Sequence, residues 1–169
     1  SEGRPFKVNV FTGASTSDHV DGCLSRANAI NRRAPYQNVP DLRKRINSHD
    51  VHYNDRHLSD MAQETRYGFF GGIDYAIIEA ADITPDGEVI LGCGVGNIPT
   101  YATMAKKIFI ELNERLPHTL KGMHDIYMPL DPPYRREIGI YKPSDRIGSP
   151  ILKIDPSKVV GIVKTSSLD

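Results

Sequence analysis

Tryptophan is absent from the 169 residues, cysteine occurs only twice, and charge of either sign is missing on balance, with 21 Lys plus Arg against 21 Asp plus Glu. Each shortage excludes a class. Cys23 and Cys93 cannot build a disulfide framework, and neither belongs to a CxxC pair of the kind that holds structural zinc. Without a basic excess the chain is a poor nucleic-acid or polyanion binder, because that affinity comes from neutralising phosphates. No apolar run approaches the ~20 residues of a membrane span. The opening SEGRPFKVNV is polar and lacks the pattern of a secretory leader. The expectation is a reducing, cytoplasmic setting, with neither nucleic acid nor membrane as partner. Neither GxGxxG nor a Gly-Lys-Ser/Thr ending occurs, which removes the familiar dinucleotide and nucleotide-phosphate motifs.

What is plentiful is punctuation, with 14 Gly and 12 Pro. Hydrophobic residues (39%) and charged residues (25%) are otherwise ordinary for a soluble domain. A chain of this size hides roughly 70% of its unfolded surface, enough for a real core.

The pattern along the chain alternates strand and helix. Residues 6–12 read as a strand ended by Gly13. Ser15, Thr16 and Ser17 offer N-cap hydroxyls, with Asp18 in a capping-box relation to Ser15, for a helix over about 17–32. Pro35 and Pro40 bracket a loop. A charged helix follows over Asp41 to Asn47, then a short strand over Val51 to Asn54. Leu58, Met61, Ala62, Thr65 and Phe69 mark an amphipathic helix closed by Gly68 or by Gly71 and Gly72. Ile73 to Ala81 is nearly continuous in apolar residues, as in a strand covered on both faces. Glu88 to Leu91 is a strand, Pro99 starts a helix that runs through Met104, and Lys107 to Leu112 is a strand. From Asn113 onward prolines predict extended connections, with a last strand over Val159 to Lys164. The alternation predicts an α/β architecture, a three-layer α/β/α sandwich with a mainly parallel sheet.

Four segments are candidate sites. The turn Phe11–Thr16 would present backbone N–H groups to an anion if it led into a capped helix; the bland alternative is a plain cap. Gly92-Cys93-Gly94-Val95-Gly96-Asn97 permits close backbone approach to a ligand, or is simply a tight turn. His49, His52 and His57 lie near Asp50, Asp55 and Asp60, but without helical spacing or HExxH they read as surface histidines rather than a metal site. Arg146, between Pro143 and Pro150, offers a fork to a carboxylate or phosphate, or pairs with Asp145. Glu79, in an apolar strand, needs a partner, for which a neighbouring loop is the expected source. Cys23 and Cys93 are expected to be small packed residues rather than nucleophiles.

Nine strings together carry a family resemblance: FTGAST (11–16), DGCLSRANAI (21–30), RAPYQ (33–37), DLRKRIN (41–47), VHYNDRHLS (51–59), IDYAIIEAADITPDG (73–87), VGNIPT (95–100), KGMHDIY (121–127) and PSDRIGSP (143–150). In this order they resemble the N-terminal domain of the acetyl-CoA hydrolase/transferase family, the class I CoA-transferases. The resemblance implies two similar α/β/α domains with an active site between them. The implied division is an N-terminal domain over 1–158, incomplete at its start, with 159–169 beginning the connection to a C-terminal domain. It also implies ping-pong chemistry. A glutamate carboxylate attacks an acyl-CoA thioester, expelling CoA thiolate and forming a mixed anhydride. The thiolate then attacks that anhydride on the glutamyl carbonyl, releasing the first acid and leaving a glutamyl-CoA thioester, and a second acid takes CoA by the reverse steps.

That glutamate belongs to the family's C-terminal domain, so no catalytic residue is assigned here, and neither Glu79 nor Glu88 takes the role. By motif, Gly13, Ala14, Ser15, Gly96, Asn97 and Arg146 are implied to line the cleft and to touch the acyl or carboxylate portion. CoA is a substrate, with no separate cofactor and no metal. Small carboxylates, the C-terminal domain and a second copy in a homodimer are the implied partners. Acyl-CoA hydrolysis and a non-catalytic anion-binding module are the alternatives.

Overall fold

The structure, a computed structural model, describes residues 5–15 and 17–167. The chain divides into two compact units, Ser1–Ala62 and Gln63–Asp169. No helix among the described residues is long and apolar enough to cross a membrane.

The first unit holds strand β1 (Val8–Ser15), helix α1 (Asp21–Arg26), β2 (Ile30–Gln37), α2 (Pro40–Asn47) and β3 (His52–Tyr53). The three strands form a parallel sheet in the order β1-β2-β3. Ile30, Val39, Leu42 and Val51 make its core, with Val10, Leu24 and Ile46 against them. The expected helix over 17–32 is much shorter, and strand β2 takes its last three residues and the first half of the expected loop. Pro35 explains why β2 is hard to read, since proline normally avoids central strands because it cannot donate to the ladder. Here it lies where the β1–β2 register shifts, between the Phe11–Ala34 and Ala14–Tyr36 pairs, and beyond the two residues that β3 bonds.

Buried charge ties α1 to β2. Arg33 Nε and Nη2 donate to the two carboxylate oxygens of Asp21, each at 2.9 Å, and both side chains are fully buried. Arg33 Nη1 donates to the Ala34 carbonyl and Nη2 to the Tyr36 carbonyl.

Helix α3 (Leu58–Arg66) spans the division between the units. The second unit continues with β4 (Tyr75–Ile83), β5 (Glu88–Leu91), α4 (Ile98–Met104), β6 (Lys107–Asn113), β7 (Leu152–Lys153) and β8 (Val159–Thr165). Its sheet has the order β7-β5-β4-β6-β8. Strands β4, β6 and β8 run parallel, β5 runs antiparallel to β4, and β7 antiparallel to β5. The segment 159–169, expected to begin a connection, therefore supplies an edge strand of this sheet before it ends. Four of the six strand pairings in the two sheets are parallel, as the α/β reading predicts, but they belong to two sheets rather than one.

The core of this unit includes Ala76, Ile78 and Ala80 of β4, Val89 and Leu91 of β5, Ile108 and Ile110 of β6, and Ala102 of α4. The other face differs from expectation. Apolar residues on both faces of Ile73 to Ala81 predict cover on both, yet Tyr75 is 56% exposed and Ile77 75%. Phe109 and Val163 share this face in register, and the Tyr75 ring stacks on Phe109 at 5.9 Å. From residue 114 to 151 the chain is largely irregular, as its prolines predict.

Candidate functional site

In the second unit, the glycine loop leaves the C-terminal end of β5. Gly92 is buried, while Cys93, Gly94 and Gly96 are exposed. A Cβ on Gly92 would sit 2.9 Å from Glu79 Oε2 and 3.2 Å from Leu116 Cδ1, so only glycine fits without displacing them. Gly96 adopts φ +41, the left-handed region that glycine enters at no steric cost. Asn97 is the cap residue of α4; its carbonyl accepts from Tyr101 N, and its side chain makes no capping bond.

Glu79 has the structural partner expected of it, though from the adjacent strand. Its Oε1 accepts from Asn113 Nδ2 at 2.8 Å, and Asn113 is itself buried. Glu111 lies opposite Glu79 in the β4–β6 register and accepts from Thr165 Oγ1 at 2.9 Å. Both carboxylates are thus held on one face of the sheet by side chains of adjacent strands.

Arg146 is exposed and anchored by main chain rather than by Asp145. Its Nη1 donates to the carbonyls of His124 at 3.0 Å and Gly122 at 3.4 Å. Asp145 instead accepts from the amides of Tyr141 and Lys142. Asp125 accepts from the amides of Ile147 and Gly148, and Ile126 and Ser149 form an antiparallel bridge. The strings 121–127 and 143–150 are therefore one clipped unit. A depression of about 480 Å³ beside it is lined by Met123, Asp125, Pro143, Ser144, Asp145 and Arg146.

The residue missed by sequence reasoning is His124. Its Nε2 bonds the Gly92 carbonyl at 3.0 Å, so it joins the glycine loop to the Arg146 clip. The clustered His49, His52 and His57, by contrast, are all exposed. No group of three or more potential metal ligands occurs among the described residues.

Gly13, Ala14 and Ser15 require a correction. They lie within β1, not in a turn after it; Ala14 pairs with Tyr36 and Ser15 with Gln37. Thr16, named with them, lies outside the described residues. Helix α1 starts only at Asp21, has no side-chain cap and is six residues long. Ser17 Oγ accepts from His19 N, and Asp18 is paired with Arg26 rather than closing a capping box. The helix-terminus argument for an anion at 13–16 therefore fails geometrically. Cys23 and Cys93 are exposed, against the expectation that they are packed.

A further ion pair fixes the long irregular segment. Arg66 Nε and Nη2 engage Asp131, the shortest contact being 2.7 Å, and Arg66 Nη1 reaches Thr100 Oγ1 in α4. The Arg66 guanidinium holds the Asp131 carboxyl below its ordinary value of 3.8, with Arg135 adding to the effect. Since folding lowers this pKa, the pair's contribution is complete above the ordinary value and lost as pH falls through and below it. The stability gap between the wild type and Asp131→Asn is expected to be widest near neutrality and to narrow below about pH 4. Urea midpoints across pH 3–7 check this; a gap that widens toward acid contradicts it.

The family model for the acetyl-CoA hydrolase/transferase N-terminal domain matches residues 1–164. The chain belongs to that family. Among curated relatives, it is 45% identical to the propanoyl-CoA:succinate CoA transferase of Escherichia coli over 98% of this chain and 34% of the relative. It is 42% identical to the succinyl-CoA:acetate CoA-transferase of Clostridium kluyveri, over 97% and 30%. It is 39% identical to the acetyl-CoA hydrolase of Yarrowia lipolytica, over 97% and 32%. The chain thus spans about a third of the length of these relatives. Among solved structures, a 4-hydroxybutyrate CoA-transferase from Porphyromonas gingivalis matches with a TM-score of 0.53 at 20% identity, over 95% of this chain and 35% of that one. This supports the fold assignment.

Proposed function

We propose that this chain, with the edge strand β8 included, is the N-terminal domain of an enzyme that moves CoA between an acyl-CoA and small carboxylic acids such as acetate, succinate or propionate. The observation that carries the reading is the family match over 1–164, with two CoA-transferases at 45% and 42% identity. CoA is a substrate in this reading, and no cofactor is needed. The nucleophilic glutamate lies in a C-terminal domain that follows 159–169, and the working form is a cytoplasmic homodimer. Gly96, Asn97 and Arg146 face the acyl or carboxylate portion, with Arg146 supplying positive charge from its main-chain anchor. Gly13, Ala14 and Ser15 remain proposed contacts by motif, without a helix terminus behind them.

Ping-pong chemistry makes the test specific. The longer polypeptide carrying this chain, supplied with succinyl-CoA and labelled acetate, is expected to form labelled acetyl-CoA and to give parallel double-reciprocal plots. The 169-residue chain alone is expected to give no turnover. Release of free CoA without labelled product would favour hydrolysis, the activity named for the Yarrowia relative. Turnover by the isolated chain, or no acyl-CoA consumption by the longer polypeptide, overturns the reading. Tight carboxylate binding by the isolated chain, with an inactive longer polypeptide, would instead indicate an anion-binding module.

A further inference from the structure

His124 is where two otherwise separate segments meet. Its side chain reaches the root of the glycine loop, with Nε2 at 3.0 Å from the Gly92 carbonyl. Its own carbonyl accepts from Arg146 Nη1 at 3.0 Å. A carbonyl can only accept, so Nε2 carries a proton. Nδ1 is buried and has no hydrogen-bond partner among the described residues. A proton moved there would become a buried donor with no acceptor, and the Gly92 carbonyl would lose its donor.

The loop needs such a tether. A Cβ built on Gly94 or Gly96 would meet nothing within 4 Å, so no neighbouring atoms confine either residue on that side. The next fixed point is the bond from Ile98 N to the Val95 carbonyl. Glycines that are not held lose much conformational entropy when ordered. At the root, Glu79 Oε2 closes one side of Gly92, and His124 supplies the directional bond to its carbonyl.

We propose that His124, as the Nε2–H tautomer, is the positioning residue of the Gly92–Gly96 loop, setting where that loop stands relative to Arg146. This rests on the reading of the loop as substrate-facing. The two ends of His124 act through different atoms. Replacing the side chain cuts the link to the loop and leaves the carbonyl that anchors Arg146.

The test has three readouts. Imidazole ¹H–¹⁵N correlation spectra of the wild-type chain are expected to show the Nε2–H tautomer at His124; a dominant Nδ1–H form overturns the proposal even if every variant misfolds. Heteronuclear NOE values at Cys93, Gly94 and Gly96 are expected to fall in His124→Ala and to recover in His124→Gln, whose side-chain amide can reach the same carbonyl. The Arg146 guanidinium signals should stay in place in both. An unchanged loop in His124→Ala overturns the proposal whatever the activity does. In the longer polypeptide, kcat/KM for His124→Ala is expected to drop about three- to tenfold, the worth of one hydrogen bond, with His124→Gln restoring most of it. A loosened loop with unchanged kcat/KM overturns the substrate-facing reading instead, so the two failures are distinguishable.

Discussion

Replacing Arg33 by alanine is expected to cost the first unit about 3–5 kcal/mol, as removal of one partner from a buried ion pair does. That is a large part of an ordinary domain's stability. Arg33 and Asp21 are both fully buried, and the guanidinium meets the carboxylate through two parallel bonds of 2.9 Å. Without Arg33, the Asp21 charge stays inside with no counterion, and the Ala34 and Tyr36 carbonyls lose their donor. Arg33→Lys keeps the charge but not the fork, so it is expected to recover less than half of the loss. The double change Asp21→Leu with Arg33→Met removes both charges and should be less damaging than Arg33→Ala. Its recovery is incomplete, because the two carbonyls remain unsatisfied. Because the chain has two compact units, a single spectroscopic transition could mix them. Amide exchange at the strand residues of β1 and β2 reports the first unit directly. A cost for Arg33→Ala within about 1 kcal/mol, the range of an exposed pair, would contradict the argument.

The same pair shows why part of this fold escapes a reading by pattern. Helix α2, strands β5 and β6, and helix α4 are legible because periodicity, Pro99 and turn residues agree with what forms. Strand β2 is not, because its sequence INRRAPYQ contains two arginines and a proline and has no clean alternation. What makes it a strand is tertiary. Arg33 finds its charge partner in α1, and Pro35 falls at a register shift where no ladder donor is needed. A local pattern carries neither fact.

The site is legible in a similar, partial way. The glycine spacing at 92–96 announces close approach, and Gly92 does need its missing Cβ. The Asp145–Arg146 adjacency invites an ion pair, yet neighbours along a chain seldom share geometry. Asp145 turns to the amides of Tyr141 and Lys142, while Arg146 crosses to Gly122 and His124. His124 carried no signal because it stands alone, outside any spacing that names histidine chemistry. Only its distance from Gly92 reveals it.

Gly148→Val is expected to release the clip that holds Arg146. A Cβ at Gly148 would lie 2.3 Å from the Ile126 oxygen, 2.4 Å from its carbonyl carbon and 2.9 Å from its nitrogen. These are backbone atoms, so no rotamer change relieves the overlap, and the two strings must part. Every bond of the clip lies within two residues of Gly148. Asp125 meets the Gly148 amide at 2.6 Å, Ile126 and Ser149 exchange bonds of 2.8 and 2.9 Å, and Arg146 reaches the His124 carbonyl. Once parted, the segment should be cut by trypsin after Arg136 or Arg146 at least about tenfold faster, as local opening becomes easier by a factor of that order. Exchange in β4 and β6, whose cores do not involve the clip, should be unchanged. Gly139→Val is the control, because a Cβ there meets only Tyr141 Cε2 at 3.9 Å. If both variants are cut at the wild-type rate, the clip is not what orders this segment. If Gly148→Val opens the segment and also lowers CoA transfer by the longer polypeptide while Gly139→Val does neither, the anchored position of Arg146 is what the reaction uses.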